Sequence, residues 1–279
     1  MALDRPVVMG ILNLTPDSFS DGGDLPTLER ALERAAAMVG EGAGILDVGG
    51  ESTRPGAAFV AEADERARVL PFIEEAALRF DVPISVDTRS SRVAREALAA
   101  GASIVNDVSG LAHDAAMARV VAESGAGVVL MHMRGDPKTM QERAVYHDVA
   151  AEVEAELTEA AERALRAGVP AEAIVLDPGF GFAKLPAHSL ELLRELGRLT
   201  RSGFPLLVGP SRKGFIGTVV NRPPKERVEG TIAVCVAAYL RGARIFRVHD
   251  VGPVSRALAV IHASETGAGF HAGTGAGTA

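Results

Sequence analysis

Short runs of β-branched and aliphatic residues alternate along this chain with longer stretches rich in Ala, Leu, Glu and Arg. The short runs predict strands: VVMGIL (Val7 to Leu12), GILDVG (Gly44 to Gly49), VPISVD (Val82 to Asp87) and SIVND (Ser103 to Asp107). GVVLMH (Gly127 to His132), AIVLD (Ala173 to Asp177), PLLVG (Pro205 to Gly209) and RIFRVH (Arg244 to His249) continue the series. The longer stretches, such as TLERALERAAAMVGEG (Thr27 to Gly42) and VAAEVEAELTEAAERALRAG (Val149 to Gly168), predict helices. Gly42, Gly101, Gly125, Gly168 and Gly242 stand where helix-like pattern gives way to strand, the position at which glycine ends a helix. Continuous apolar strands alternating with helices predict a parallel sheet covered by those helices. Eight such units in a row predict an α/β fold of the closed (β/α)8 TIM-barrel type rather than an open doubly wound sheet. No GxGxxG follows the first strand, which speaks against a dinucleotide fold. A single barrel domain is expected over residues 1–265, and the low-complexity tail over 266–279 is expected to be disordered.

The polar residues collect at one end of these strands. Asn13, Asp47, Asp87, Asn106, Asp107, His132, Asp177, Ser211, Arg212, Lys213, Arg247 and His249 all lie at or just past a strand's C-terminal end. In a parallel barrel those ends converge on one face, where the loops build an active site. A lone Asp at a strand end is usually a helix cap or turn former. Eight such ends together weaken that explanation, although Asp47 and His132 are still expected to be structural.

Composition narrows the class. The 279 residues, 47% of them hydrophobic, are enough for a sizeable core. A formal charge of -7 without Lys/Arg runs argues against a nucleic-acid surface. The one cysteine, Cys235, rules out an intramolecular disulfide and a thiolate metal cluster. The start, MALDRPVV, lacks a secretory pattern, and no run approaches the ~18 apolar residues of a membrane span. A cytoplasmic protein that engages neither membrane nor nucleic acid is expected.

Two sets of residues carry candidate chemistry. Asp87, Asn106 and Asp177 place two carboxylates and a carboxamide in the barrel mouth, where buried acceptors need donors. A flat heterocycle with amino and ring N–H groups, such as a pterin or guanine, supplies them. A metal is the competing reading, but the trio has no His partner. The second set, Arg54, Lys213, Arg247 and His249 with Asn13 nearby, has the chemistry of a phosphate or diphosphate clamp. Arg247 and His249, two apart on an extended strand, face the same way. The alternative for that pair is ion pairing with barrel-end carboxylates such as Asp250. The loop NLTPDSFSDGG, from Asn13 to Gly23, adds oxygen donors at Thr15, Asp17, Ser18 and Asp21, and Gly22 and Gly23 let it move. DPGFGFAK (Asp177 to Lys184) and GPSRKGFIG (Gly209 to Gly217) are glycine-bearing loops at which backbone approaches a ligand. Phe180 in the first is expected to be packing.

NLTPDSFSDGG, GESTRPGA, SVDTR, IVNDVSG, LMHMRG, LDPGFGFAK, GPSRKGFIG and RVHDV occur in the order seen in the dihydropteroate synthase family of pterin-binding enzymes, which the chain resembles from Val7 to about Ala263. The resemblance implies condensation of 6-hydroxymethyl-7,8-dihydropterin diphosphate with 4-aminobenzoate, giving 7,8-dihydropteroate and pyrophosphate. It implies that Asp87, Asn106, Asp177 and Lys213 hold the pterin. Asn13, Arg54, Arg247 and His249 would hold the diphosphate, with Mg2+ near Asn13. Thr53, Pro55, Ser211, Arg212 and Gly214 would receive aminobenzoate, and Met131, Phe182 and Gly209 would line the substrate site. Asp87, Lys213, Arg247 and His249 carry the catalytic roles in this reading, and the loops 13–23 and 51–60 close over the substrates. Gly214 departs from the Ser that family members often carry, so a hydroxyl contact to the aminobenzoate carboxylate is lost or taken over by backbone N–H. A homodimer is expected, with TIAVCVAAYL and PVSRALAVIHA as candidate interface segments; packing of those faces on the barrel is the alternative. A pterin-dependent methyltransferase would share the acidic trio without the diphosphate clamp. A catalytically silent pterin-binding paralogue would be expected to have lost loop residues that this chain retains.

Overall fold

The computed structural model describes residues 3–15, 28–51 and 60–268. Eight strands follow one another in the order of the chain: β1 (Val7–Asn13), β2 (Ala43–Gly49), β3 (Ile84–Asp87), β4 (Ile104–Asp107), β5 (Gly127–Met131), β6 (Ile174–Asp177), β7 (Leu206–Val208) and β8 (Ala243–Val248). All pair in parallel with their sequence neighbours, and β8 closes on β1, so the sheet is the predicted barrel. The helices outside it are α1 (Leu28–Gly40), α2 (Glu62–Arg79), α3 (Ser91–Ala99), α4 (Met117–Ser124), α5 (Val149–Arg166), α6 (Pro186–Arg194), α7 (Gly214–Val220), α8 (Val228–Tyr239) and α9 (Val251–Thr266). β7 alone is followed by two of them, α7 and α8.

The observed strands match the predicted apolar runs to within a residue or two at each end. Local signals set the helix ends. Ser90 Oγ accepts from Val93 N at the start of α3, and Asp148 does the same for Ala151 N at the start of α5. The five glycines expected to end helices, Gly42, Gly101, Gly125, Gly168 and Gly242, all have positive φ. The last helix runs to Thr266 and ends on left-handed Gly267, one residue past the predicted domain boundary. The rest of the predicted tail, 269–279, lies outside the described residues.

Two cores result from the alternation of side chains along each strand. The larger lies between the sheet and its helices and includes Leu12, Leu46, Val86, Val105, Leu130, Leu176, Val208 and Phe246. The smaller fills the barrel itself: Val7, Met9, Ile45, Val129, Leu207 and Ile245. This apolar plug gives the active-site end a floor.

Candidate active site at the C-terminal ends of the strands

Side chains on a strand change face at every residue, so each inward position lies two residues from the next. Starting from the plug residues Met9, Ile45, Val129, Leu207 and Ile245, the next inward positions toward the strand ends are Ile11 and Asn13, then Asp47 and Gly49, Met131, Gly209 and Arg247. The same count from Ile104 and Val175, which pack on the plug, reaches Asn106 and Asp177. The register then sets these positions side by side. Asn13 pairs with Gly49, Gly49 with Asp87, Asp87 with Asn106, and Met131 with Asp177. An interior that is apolar below and polar above is thus written into strand periodicity.

The acidic side of the mouth is deeply buried: Asp87, Asn106 and Asp177 are 7%, 2% and 4% exposed. Asp177 Oδ1 accepts from Gly179 N at 2.8 Å. Asn106 Nδ2 donates to Asp47 Oδ2 at 3.3 Å. Asp87 Oδ1 and Asp47 Oδ1 are buried with no hydrogen-bond partner among the described residues. Burial, partly offset by Arg247 and reinforced by Asp47, pushes Asp87 up to about 7. Burial likewise pushes Asp177 up to about 6, against the Gly179 hydrogen bond and the pull of Lys213 and Arg247. These are acceptors held in place with unmet capacity.

The cationic side is arranged differently. Arg247 Nε donates to Asp47 Oδ2 and its Nη2 to Asp87 Oδ2, each at 2.6 Å. Burial alone would lower the guanidinium's pKa, but the two carboxylates raise it. Ion pairing with barrel-end carboxylates, the alternative to the clamp, is therefore present, with Asp47 and Asp87 rather than Asp250. Asp250 instead takes Arg212, at 2.5 and 2.9 Å. His249 Nδ1 shares a 2.9 Å hydrogen bond with Ser211 Oγ, which also accepts from His249 N at 3.1 Å. Lys213 Nζ lies 3.8 Å over the Phe182 ring. Arg247 and Asp177 both approach Gly209, where an added Cβ would lie 3.8 Å from Arg247 Cβ and 3.9 Å from Asp177 Oδ2.

The barrel thus brings Asn13, Asp87, Asn106, Met131, Asp177, Phe182, Gly209, Ser211, Arg212, Lys213, Gly214, Arg247 and His249 to one end. Met131 and Phe182 belong to a small apolar cluster with Val108, Met140 and Ala183. Gly214 opens α7, and a Cβ there would meet nothing within 4 Å, so packing does not demand glycine. Phe180 is 1% exposed and packs on Phe215, the packing role expected of it. Thr53, Arg54, Pro55 and the loop positions Asp17, Ser18, Asp21, Gly22 and Gly23 lie outside the described residues.

Sequence reasoning assigned no role to the residues that brace the site. Glu51 Oε2 takes Arg89 at 2.8 Å, and its other oxygen accepts from Val60 N at 3.2 Å, so the two sides of segment 52–59 are tied together. Arg227 Nη1 donates to the carbonyls of Arg212 and Lys213, and Thr231 Oγ1 accepts from Arg212 N, holding Arg212 at a φ of 57. His132, expected to be structural, joins Glu156 to Lys184. The one available signal was a charge inside an otherwise apolar or glycine-rich run, as at Lys184.

Comparison with known proteins gives a consistent result. A family profile described as pterin binding enzyme matches residues 9–249. The dihydropteroate synthase of Escherichia coli (strain K12) is 49% identical over 262 residues, covering 94% of this chain and 93% of that one. A solved structure of Xanthomonas albilineans dihydropteroate synthase with 4-aminobenzoic acid has a TM-score of 0.90 at 44% identity, covering 95% of each chain. A second, of dihydropteroate synthase from Xanthomonas albilineans in complex with 7,8-dihydropteroate, has a TM-score of 0.87 at 42% identity, covering 95% of this chain and 96% of that one.

Proposed function

The chain belongs to the pterin-binding enzyme family and, within it, to the dihydropteroate synthases, and from that premise we propose how its own residues carry the reaction. The substrates are 6-hydroxymethyl-7,8-dihydropterin diphosphate and 4-aminobenzoate; the products are 7,8-dihydropteroate and pyrophosphate. One observation carries the pterin assignment: buried carboxylate oxygens at Asp87 and Asp47 without partners, in the mouth that also holds Asp177 and Asn106. The amino and ring N–H groups of a pterin are the donors such oxygens lack.

Asp87, Asn106 and Asp177 hold the ring, Lys213 lies alongside on Phe182, and Met131 and Gly209 line the space. Arg247 and His249, with Arg54 and Asn13, receive the diphosphate. A guanidinium has five N–H donors, and the Asp47 and Asp87 contacts occupy two of them. The C–O bond to the diphosphate breaks with its electron pair leaving on oxygen. Arg247 and His249 stabilise that charge, and the Asp87 carboxylate stabilises the cation left on the pterin methylene. The amine lone pair of 4-aminobenzoate forms the new C–N bond, and the nitrogen then loses a proton. Ser211, Arg212 and Gly214, with Thr53 and Pro55, receive the aminobenzoate.

The donor set fits Mg2+ as an ion arriving with substrate. Among the described residues no group of three or more His, Cys, Asp or Glu is arranged to hold a metal. A hard cation of this kind is satisfied by phosphate and water oxygens with one or two from the protein, and the inward-facing Asn13 is such an oxygen. When bound there it supplies charge neutralisation at the leaving diphosphate.

A cytoplasmic setting and a homodimer complete the proposal. No described helix is long and apolar enough to cross a membrane. The homodimer rests on the resemblance to the family, since most apolar residues of α8 and α9, among them Val234, Cys235, Ala238, Val251, Val254 and Leu258, pack in the core around the barrel. Pyrophosphate release from the dihydropterin diphosphate, with and without 4-aminobenzoate and Mg2+, tests the reaction. Release with matching dihydropteroate formation is expected; ring binding without product in the presence of both would overturn it.

A further inference from the structure

Lys184 is a buried charge that the reaction so far does not use. It ends the Asp177–Lys184 loop and is 3% exposed. Its ammonium meets His132 Nδ1 at 2.8 Å, the Phe182 carbonyl at 3.0 Å and the His132 carbonyl at 3.5 Å. His132 Nε2 in turn lies 3.0 Å from Glu156 Oε2. An ammonium has only donors, so Nδ1 accepts, the imidazole proton sits on Nε2, and Glu156 receives it. Burial, with Lys184 next, brings His132 down to about 4 and keeps the ring neutral in this role. Glu156 is also gripped by Arg134. Arg134 stacks 4.1 Å from the Tyr146 ring, and Tyr146 Oη donates to the Ala183 carbonyl at 2.9 Å. The chain of contacts therefore begins and ends on the same loop.

That loop is conformationally demanding. Gly179, Gly181 and Ala183 have φ of 68, 77 and 48. The first must be glycine, because a Cβ would run into the His132 carbonyl oxygen. A left-handed alanine is strained, and the bonds to the carbonyls of Phe182 and Ala183 hold it there. The loop's product is a placement: Asp177 at one end is bonded to Gly179 N, and the Phe182 ring near the other supports Lys213.

We propose that Lys184, oriented through His132 and Glu156, is a positioning residue for the pterin subsite: it holds the Asp177–Lys184 loop in shape and supplies positive charge that acts on the Asp177 carboxylate. The assignment rests on reading the Asp177 pocket as a pterin site. A hydrocarbon would pack in this place without the desolvation cost of an ammonium, so the charge needs a reason. Five groups face it. Asp177 from β6 and Glu156 from α5 favour its charged form, Arg134 and Lys213 oppose it, and neutral His132 lies in contact. Burial brings Lys184 down to about 7, while Asp177 is raised to about 6. The Lys184 charge favours the Asp177 anion that ring N–H donors need. Removing the positive charge raises the Asp177 pKa, so the acid limb of pterin recognition moves to higher pH.

The test compares Lys184→Met, Lys184→Arg and Glu156→Gln by steady-state kinetics across pH and by calorimetric titration with 6-hydroxymethylpterin. In Lys184→Met the KM for the dihydropterin diphosphate rises roughly ten-fold with that for 4-aminobenzoate little changed, and the acid limb of kcat/KM moves to higher pH. Lys184→Arg keeps the charge and restores the limb. Glu156→Gln withdraws one group that sustains the Lys184 charge and shifts the limb the same way by less. An unmoved limb in a folded Lys184→Met protein, or equal shifts in the Met and Arg variants, overturns the assignment. Should Lys184→Met not fold, an unmoved limb in Glu156→Gln overturns it. Wild-type protein that binds the ring without making dihydropteroate refutes the synthase reaction instead, and the ring titrations of the variants still decide the role of Lys184.

Discussion

The acidic and cationic sides of the barrel mouth are built on opposite plans. Asp87, Asn106 and Asp177 sit on or at the ends of strands, are buried, and include an oxygen with no partner among the described residues. Arg212, Arg247 and His249 already have protein partners: Asp250, the Asp47–Asp87 pair, and Ser211. A rigid strand can hold an unmet acceptor because the closed sheet around it is stable enough to bear the ~1–3 kcal/mol that such a group costs. A long flexible cation at a mouth has no comparable restraint and rests on the nearest carboxylate. Recognition of the ring is thus prepared before substrate arrives, whereas recognition of the diphosphate requires cations to share or exchange partners.

The largest test of this division is Arg247→Ala. It should lower kcat/KM by roughly 10²–10³-fold, the scale for losing one charged donor at a leaving group. It should also lower stability by about 3 kcal/mol in denaturant titration, because Asp47 and Asp87 lose their shared buried partner. Wild-type kinetics would remove Arg247 from the clamp. Asp177→Asn comes next: affinity for the ring alone should fall roughly 10- to 100-fold while pyrophosphate affinity holds, both by calorimetry. Equal loss of the two ligands would show that the sides do not act separately.

The pH response should be milder. Asp87 and Asp177 are raised to about 7 and about 6, so acidification through that window protonates both. Ring affinity, measured without the diphosphate, should therefore fall as pH drops from 8 to 5, and a flat profile would mean that neither carboxylate accepts from the ring. Glu65→Gln is the smallest effect and a control. Burial raises Glu65 from 4.5 to about 7, and one of its oxygens lacks a partner, yet it sits on α2 outside the strand ends. A raised acid pKa favours the folded state below 4.5 and loses that contribution as pH rises toward 7. The substitution should raise Tm by about 2–4 °C above pH 7, with little change below pH 4.5. If it instead weakens ring binding as much as Asp177→Asn does, a raised pKa is no guide to which acids meet the ring.

Much of this could be read in the linear chain. Asp87 and Asp177 stood out because each ends an apolar run, and Phe180 was assigned to packing within its glycine-bearing loop. Lys184 was visible only as the last letter of a loop. Its partners His132 and Glu156 come from β5's end and from α5, 52 and 28 positions earlier in the numbering, and nothing local marks them as neighbours. Asp47 was expected to be structural, and together with Asp87 it braces Arg247.

The sequence by itself determined the elements, their order, and which end of the barrel carries polar groups. Periods of two and 3.6 and the glycines at helix ends depend on near neighbours along the chain, so they survive in a string of letters. Only the tertiary structure decided which charges meet. Arg247 joins carboxylates 200 and 160 positions away, a choice made by strand register and by closure of β8 on β1. Burial, which sets the pKa of Asp87, Asp177 and Lys184, exists only once that closure has removed the water.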